Sequence, residues 1–356
     1  MSSGPGGIGS SSGCKGCSEV IDFRYHLVSI IAIFFALATG IVLGAGPLDE
    51  QVDETLADQI ADLREQNQQL RDQVVALEAN TDYQESFIQT VTPQLVGDRL
   101  SNRDVLLVTM PGADDAVVSG VRDTLETAGA TVEATVAIQP AWTDAESEAV
   151  LDELAAQLVS SGTTLPEDTD GYDRAAAVLA GALLAATGEE GTVDDAVTAG
   201  FGAEELGLVT IEPTSDNEPL VEATLAVVVA GPPPEDDVDR RNGVLRGLVS
   251  HLDAAGAGSV VGGGPSSSGD DGLLTAIRTD TDVSEAVSTV DSVDLASGRV
   301  TVVLAAVEQE QGGSGSYGKV GTTDGPLPPD VLAEPAEPSE PSEPSDQPTG
   351  EGESSP

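Results

Sequence analysis

The chain has 356 residues with 14 Lys and Arg against 62 Asp and Glu, a formal net charge of -48. So acidic a protein repels DNA, RNA and anionic headgroups, which excludes nucleic acid as a partner. Its 2 cysteines, Cys14 and Cys17, both precede the first long apolar run, so no disulfide braces the remainder and its fold relies on a hydrophobic core. The acidic, lysine-poor composition fits a salt-adapted surface and a high-GC coding bias equally well.

Residues 1–20 form a Gly/Ser-rich stretch read as a disordered N-terminal tail. Its Cys14-Lys15-Gly16-Cys17 is a C-x-x-C, and on a reducing cytoplasmic side the two thiols are weak candidates for one Cu(I) or Zn(II). No second Cys pair completes a four-ligand set. Residues 27–46, LVSIIAIFFALATGIVLGAG, carry no charge and are long enough to cross a hydrocarbon core of roughly 30 Å as one helix. Lys15 and Arg24 precede this span, while Asp49, Glu50, Asp53 and Glu54 follow it. Positive charge stays inside, so the span is expected as an uncleaved signal anchor with a cytoplasmic N-terminus and an extracytoplasmic C-terminal domain.

Ala32, Ala36, Gly40 and Gly44 recur every fourth residue of the span, the spacing that lets two membrane helices approach closely. Beyond it, Leu56, Leu63, Leu70 and Leu77 repeat at intervals of seven, with Ile60, Asn67 and Val74 at the alternate seam positions. This predicts a coiled coil over residues 52–96 with leucine at d. A polar Asn at an a position selects a parallel, in-register pair, so a homodimer or higher homo-oligomer is expected through span and coil.

Residues 103–325 read as one α/β domain with a mostly parallel, doubly wound sheet. DVLLVTM (104–110), a helix with Val117, Val118, Val121 and Leu125, a stop at Gly129 and a strand over 131–138 make a β-α-β unit. Helices are predicted over 144–160 and 175–186, then strands at 208–211 and 224–230. A helix at 240–255, a strand at 259–262 and a helix at 270–279 follow. The apolar run 300–307 suits either a strand or a helix. Residues 326–356, rich in Glu-Pro-Ser, read as a disordered acidic tail.

Catalytic signatures are missing. Gly262-Gly263-Gly264 lacks the Gly-Lys-Ser/Thr of a phosphate loop, and Val261 stands where a dinucleotide fingerprint starting at Gly256 needs glycine. His251, the sole histidine beyond the span, reads as a helix-surface residue, so no catalytic residue, no bound cofactor and no enzyme are expected. With so few Met, Cys and His, a dedicated soft-metal site in the external domain is a poor prospect; its carboxylates suit loosely held Ca(II) or Mg(II) instead.

IDFRYHLVSIIAIFFALATGIVLGAGPL (residues 21–48), the coil, DVLLVTMPGADD (residues 104–115) and the Gly-Ser-Tyr-Gly run ending at Gly318 resemble the mycobacterial copper transport protein B family. The likeness covers residue 20 to about residue 325, and family members begin near Ile21, which makes Val20 a candidate start codon. The resemblance implies copper export or homeostasis in an actinobacterial cell envelope, an outer-membrane location, and copper ions as cargo rather than cofactor. It supplies no ligand residues. The residues alone equally suit a dimeric membrane-tethered scaffold that binds another envelope component without moving metal.

Overall fold

A computed structural model describes residues 23–44, 48–159, 169–186, 191–214 and 220–329. Cys14, Cys17, the rest of the predicted N-terminal tail, the last two residues of the predicted span and residues 330–356 of the predicted acidic tail lie outside them. Two compact units emerge, Met1–Asn80 and Thr81–Pro356.

The first unit holds helix α1 (Phe23–Gly44) and the larger part of helix α2 (Leu48–Val96). Helix α1 has a mean hydropathy of 2.6 over its best window and none of that window is buried, so its length and composition suit a membrane span. Along α2, Leu56, Leu63, Leu70 and Leu77 are 53, 59, 59 and 66% exposed.

In the second unit a seven-stranded sheet has the order β3-β2-β1-β4-β5-β6-β7. Its strands are β1 (Asp104–Thr109), β2 (Thr131–Ile138), β3 (Val209–Pro213), β4 (Leu225–Val229), β5 (Ser259–Gly262), β6 (Ser288–Val290) and β7 (Ser316–Tyr317). Every pairing is parallel except β2–β3, so β3 is an antiparallel edge. The helices are α3 (Asp115–Thr127), α4 (Glu148–Leu158), α5 (Gly171–Leu183), α6 (Asp195–Phe201), α7 (Val238–Ala255), α8 (Leu273–Arg278), α9 (Thr281–Ser284) and α10 (Ala296–Glu310).

The sheet is buried on both faces, as runs such as LAVVV in β4 require. Alternate residues serve alternate faces. Leu106, Val108, Val136, Ala226 and Val228 pack with α4, α5, α7 and α8. Val105, Leu107, Val132, Leu225 and Val227 pack with α3 and α10 on the other side. The end of α2 joins this second layer: Ile88 and Leu95 pack against it, and Val96 and Leu100 are fully buried. Burying a side chain of that size contributes about 1.5–3 kcal/mol.

Several elements depart from the expectations. The predicted helix 144–160 opens as a 3-10 turn, Ala145–Ser147, preceded by another at Pro140–Thr143, and becomes α-helical at Glu148. The run 300–307 is helix; α10 is a nearly all-round buried helix, so its apolar pattern lacks a face. The short α6, α9, β6 and β7 carried too little periodicity to be seen. Leu327 packs on the core and Pro326 accepts a hydrogen bond from Thr301 Oγ1, so the fold includes the first residues assigned to the tail.

Candidate functional site

The small-residue stripe of α1 (Ala32, Ala36, Gly40, Gly44) is solvent-exposed in the single chain. At Gly40 and Gly44 nothing lies within 4 Å of where a Cβ would sit, so the backbone there is open to close approach. The residues predicted to form a seam, Leu56, Ile60, Leu63, Asn67, Leu70, Val74 and Leu77 of α2, are exposed as well. At the end of α2, within the second unit, Glu85 turns to the domain. Both its carboxylate oxygens accept the Ala296 N–H at 2.9 Å and Arg299 donates to Oε1 at 2.8 Å, capping α10.

The Gly315-Ser316-Tyr317-Gly318 run proves architectural. Asp291 is fully buried and accepts hydrogen bonds from the Lys319 and Val320 N–H groups, Ser292 Oγ and Arg278. Burial raises its carboxyl, but these donors outweigh that and hold it below the usual carboxylate range. Arg278 also reaches the Tyr317 and Val320 carbonyls, tying β7 to the sheet. Gly318 has φ +129, and a Cβ there would collide with Asp291. Tyr317 donates to Glu308, and burial first, then that acceptor, pushes its phenol well up.

The Gly262-Gly263-Gly264 turn is not a phosphate cradle. The Gly263 N–H donates to Val290 O at 2.8 Å, and a Cβ on Gly263 would meet Ser267 Oγ at 2.0 Å. His251 sits on α7 and faces Asp173 of α5 at 3.6 Å, a contact across helices that spacing along the chain does not reveal. Among the described residues no group of three or more His, Cys, Asp or Glu is placed to hold a metal ion.

The strand order reverses between β1 and β4, where open α/β sheets form their ligand crevice. A cavity of about 530 Å³ opens there. Pro111 and Gly112 after β1 and Gly231 to Pro234 after β4 form its walls, and Leu245 and Leu273 line it. The two loops touch: a Cβ on Gly231 would meet Pro111 O at 2.0 Å, and Gly112 has φ +76. Arg241, Asn242 and Thr143 supply the polar lining, with Glu235 and Asp236 also lining the cavity. Arg241 Nη1 donates to Thr143 Oγ1 at 2.7 Å and lies 3.0 Å from Asp144. Its Nε is 3.2 Å from Asp236 yet has no aligned acceptor. Asn242 is 5% exposed and donates to Asp271 O at 2.8 Å, leaving its Oδ1 without a partner. Asp237, in left-handed conformation (φ 48), leads from these acids into α7. None of these residues was singled out from the sequence, although GPPPEDD straight after a buried central strand was a signal for them.

The chain as a whole matches a known family. A profile described as "Copper transport outer membrane protein, MctB" matches residues 20–328. The chain belongs to that family. It is similar to "Copper transporter MctB" of Mycobacterium tuberculosis and of Mycobacterium bovis, each 30% identical over 307 residues, covering 84% of this chain and 96% of the relative. The protein of that name from Mycobacterium leprae is 28% identical over 305 residues, 84% of this chain and 96% of the relative. Family and apolar N-terminal helix together support a membrane-anchored envelope protein.

Proposed function

We propose that this chain serves copper transport or copper homeostasis in a cell envelope, with copper ions as cargo. The observation that carries this is a family match running from the apolar helix through the sheet domain and covering nearly the full length of relatives named as copper transporters. In this reading α1 anchors the protein with its N-terminus cytoplasmic and the α/β domain extracytoplasmic, as the charges around the span favour. The outer-membrane location rests on the family description alone.

Among the described residues one helix is long and apolar enough to span, and a single helix encloses no channel, so this reading places the copper path in an assembly. The exposed stripe of α1 and the heptads of α2 supply it: two copies pair in parallel, and Asn67 fixes their register. Cys14 and Cys17 stand as weak candidates for a cytoplasmic Cu(I) contact. The fold serves as carrier and not as catalyst in this reading.

Cellular copper under mild copper stress tests the proposal in a deletion strain, its complemented derivative and the wild type. Copper that rises in the deletion and falls on complementation supports export. Unchanged copper in all three overturns it and returns the envelope scaffold as the better account.

A further inference from the structure

The crevice between β1 and β4 suits copper poorly: its lining offers Met110 as a lone soft donor and no histidine or cysteine. It is nevertheless a built cavity, and its 530 Å³ lies in the range of small-molecule sites. What it lacks decides what it can hold. Sheets of this strand order commonly seat a phosphate on the N–H groups of the first β-α turn. Here Asp114 has already occupied those groups, accepting from Ala116 N at 2.9 Å and Val117 N at 3.2 Å, and Asp115 adds a second negative charge. The loop after β4 is Pro232-Pro233-Pro234, which removes three more N–H donors. A phosphate finds no cradle.

What the crevice does hold is one fixed cation beside displaceable anions. Two acceptors orient the Arg241 guanidinium, Thr143 Oγ1 and Asp144, and its side chain is 18% exposed. The Thr143 carbonyl in turn accepts from Arg240 at 2.8 Å, and Tyr172 Oη donates to the Asp144 carbonyl at 2.7 Å, so both anchors are themselves held. Asp236, by contrast, has a side chain 78% exposed and meets only an unaligned Nε. A planar guanidinium whose Nε meets only this exposed, unaligned carboxylate is matched by a better-aligned ligand carboxylate. The neighbouring Glu235 and Asp236 are matched by an ammonium group. Met110, Pro140, Leu245 and Leu273 offer apolar surface to whatever joins the two charges.

We propose that this crevice binds a small zwitterion of the amino-acid or short-peptide class, with its carboxylate on Arg241, its ammonium on Glu235 and Asp236, and an apolar side chain against Met110 and Leu245. Binding displaces the Asp236 carboxylate from Arg241 Nε and re-pairs it with the ligand's ammonium, so no buried charge is left alone.

Calorimetric titration of the full chain in lipid nanodiscs tests this, with glycyl-L-leucine as probe. Its C-terminal amide, its N-acetyl derivative and inorganic phosphate serve as comparators. Saturable binding of the dipeptide is expected, about tenfold weaker for either blocked form, because each lacks one charge-assisted contact. Arg241→Lys keeps the charge but loses the fork, and a loss of about tenfold is expected. Arg241 also braces Thr143 and Asp144, so Asp236→Asn, on an exposed side chain, is the second variant. It weakens the dipeptide severalfold and does not weaken the N-acetyl form, which has no ammonium to lose and one fewer competing carboxylate to displace. No saturable heat with the dipeptide overturns the proposal. So does equal affinity for dipeptide and blocked forms, or binding of phosphate in preference to them.

Discussion

Helix α2 carries one stripe with two fates. Counting sevens from Ile60 gives Asn67, Val74, Thr81, Ile88 and Leu95. Up to Leu77 the stripe's apolar members are exposed by 41 to 66% in the single chain, whereas Ile88 and Leu95 pack on the sheet domain and Val96 is fully buried. The same periodicity is therefore buried by the domain in one half and left open in the other. A heptad states that a helix buries a face; it does not state against what. The stretch near Glu85 that caps α10 is where the domain takes over the helix.

Breaking the first half gives the largest effect. Leu63→Asp with Leu70→Asp places charges in the proposed seam, where each unpaired ion costs several kcal/mol. Pairing of two copies should weaken by about a hundredfold or more. Disulfide cross-linking through an added Val74→Cys reads this directly, and the yield should collapse while domain stability stays unchanged. If cross-linking survives both charges, the seam is not the contact.

The reverse experiment acts on the other half. Leu100, fully buried just beyond α2, belongs to the domain core, so Leu100→Ala should destabilise the domain by about 2–5 kcal/mol. Trp142 is the one tryptophan of the chain and is fully buried beside Phe201, with ring centroids 5.8 Å apart, so its fluorescence reports domain unfolding alone. Urea titration should show a lower midpoint, with cross-linking at Val74→Cys retained. Loss of both together would mean that the halves do not act separately.

Acid tests the domain half, where buried carboxyls pull in opposite directions. Asp291 has a depressed folded-state pKa, so its contribution is present above the ordinary carboxylate value and is lost as pH falls through the depressed one. The domain should therefore weaken below roughly pH 4. Glu310 and Asp253 run the other way: burial raises both carboxyls, only partly offset by Arg103 at Glu310 and the Ser259 backbone at Asp253, so each favours the folded state as pH falls. Asp291→Asn should lower stability near neutrality and flatten the acid limb, read by the same fluorescence.

Much of the domain was legible because parallel strands buried on both faces leave continuous apolar runs. DVLLVT and LAVVV announce β1 and β4, and Gly129, at φ +85, ends the turn after α3 as glycine permits. What stayed hidden is short or tertiary. The three residues of β6 and two of β7 have no pattern to show, and β7 exists because Arg278 and Asp291 gather its loop. The antiparallel sense of β3 is set by pairing and leaves no trace in its own residues. The crevice was hidden for a related reason. Arg241, Thr143 and Asp236 meet only after the chain has wound past β4, and each alone reads as an ordinary surface polar residue.

The finest test of the stripe is Asn67, exposed in the single chain and placed at an a position of the proposed seam. A buried amide there costs stability but forbids slipped or higher-order packing, because only an in-register pair lets the two side chains hydrogen-bond. Asn67→Val should therefore raise the thermal midpoint of the paired helix while broadening its oligomer distribution beyond two copies. Circular dichroism gives the first and mass photometry in detergent the second. Both must move together for the seam assignment to hold. A valine that leaves stability and copy number alike unchanged would place Asn67 on a solvated face, and the heptads of α2 would then serve some surface other than a second copy of the chain.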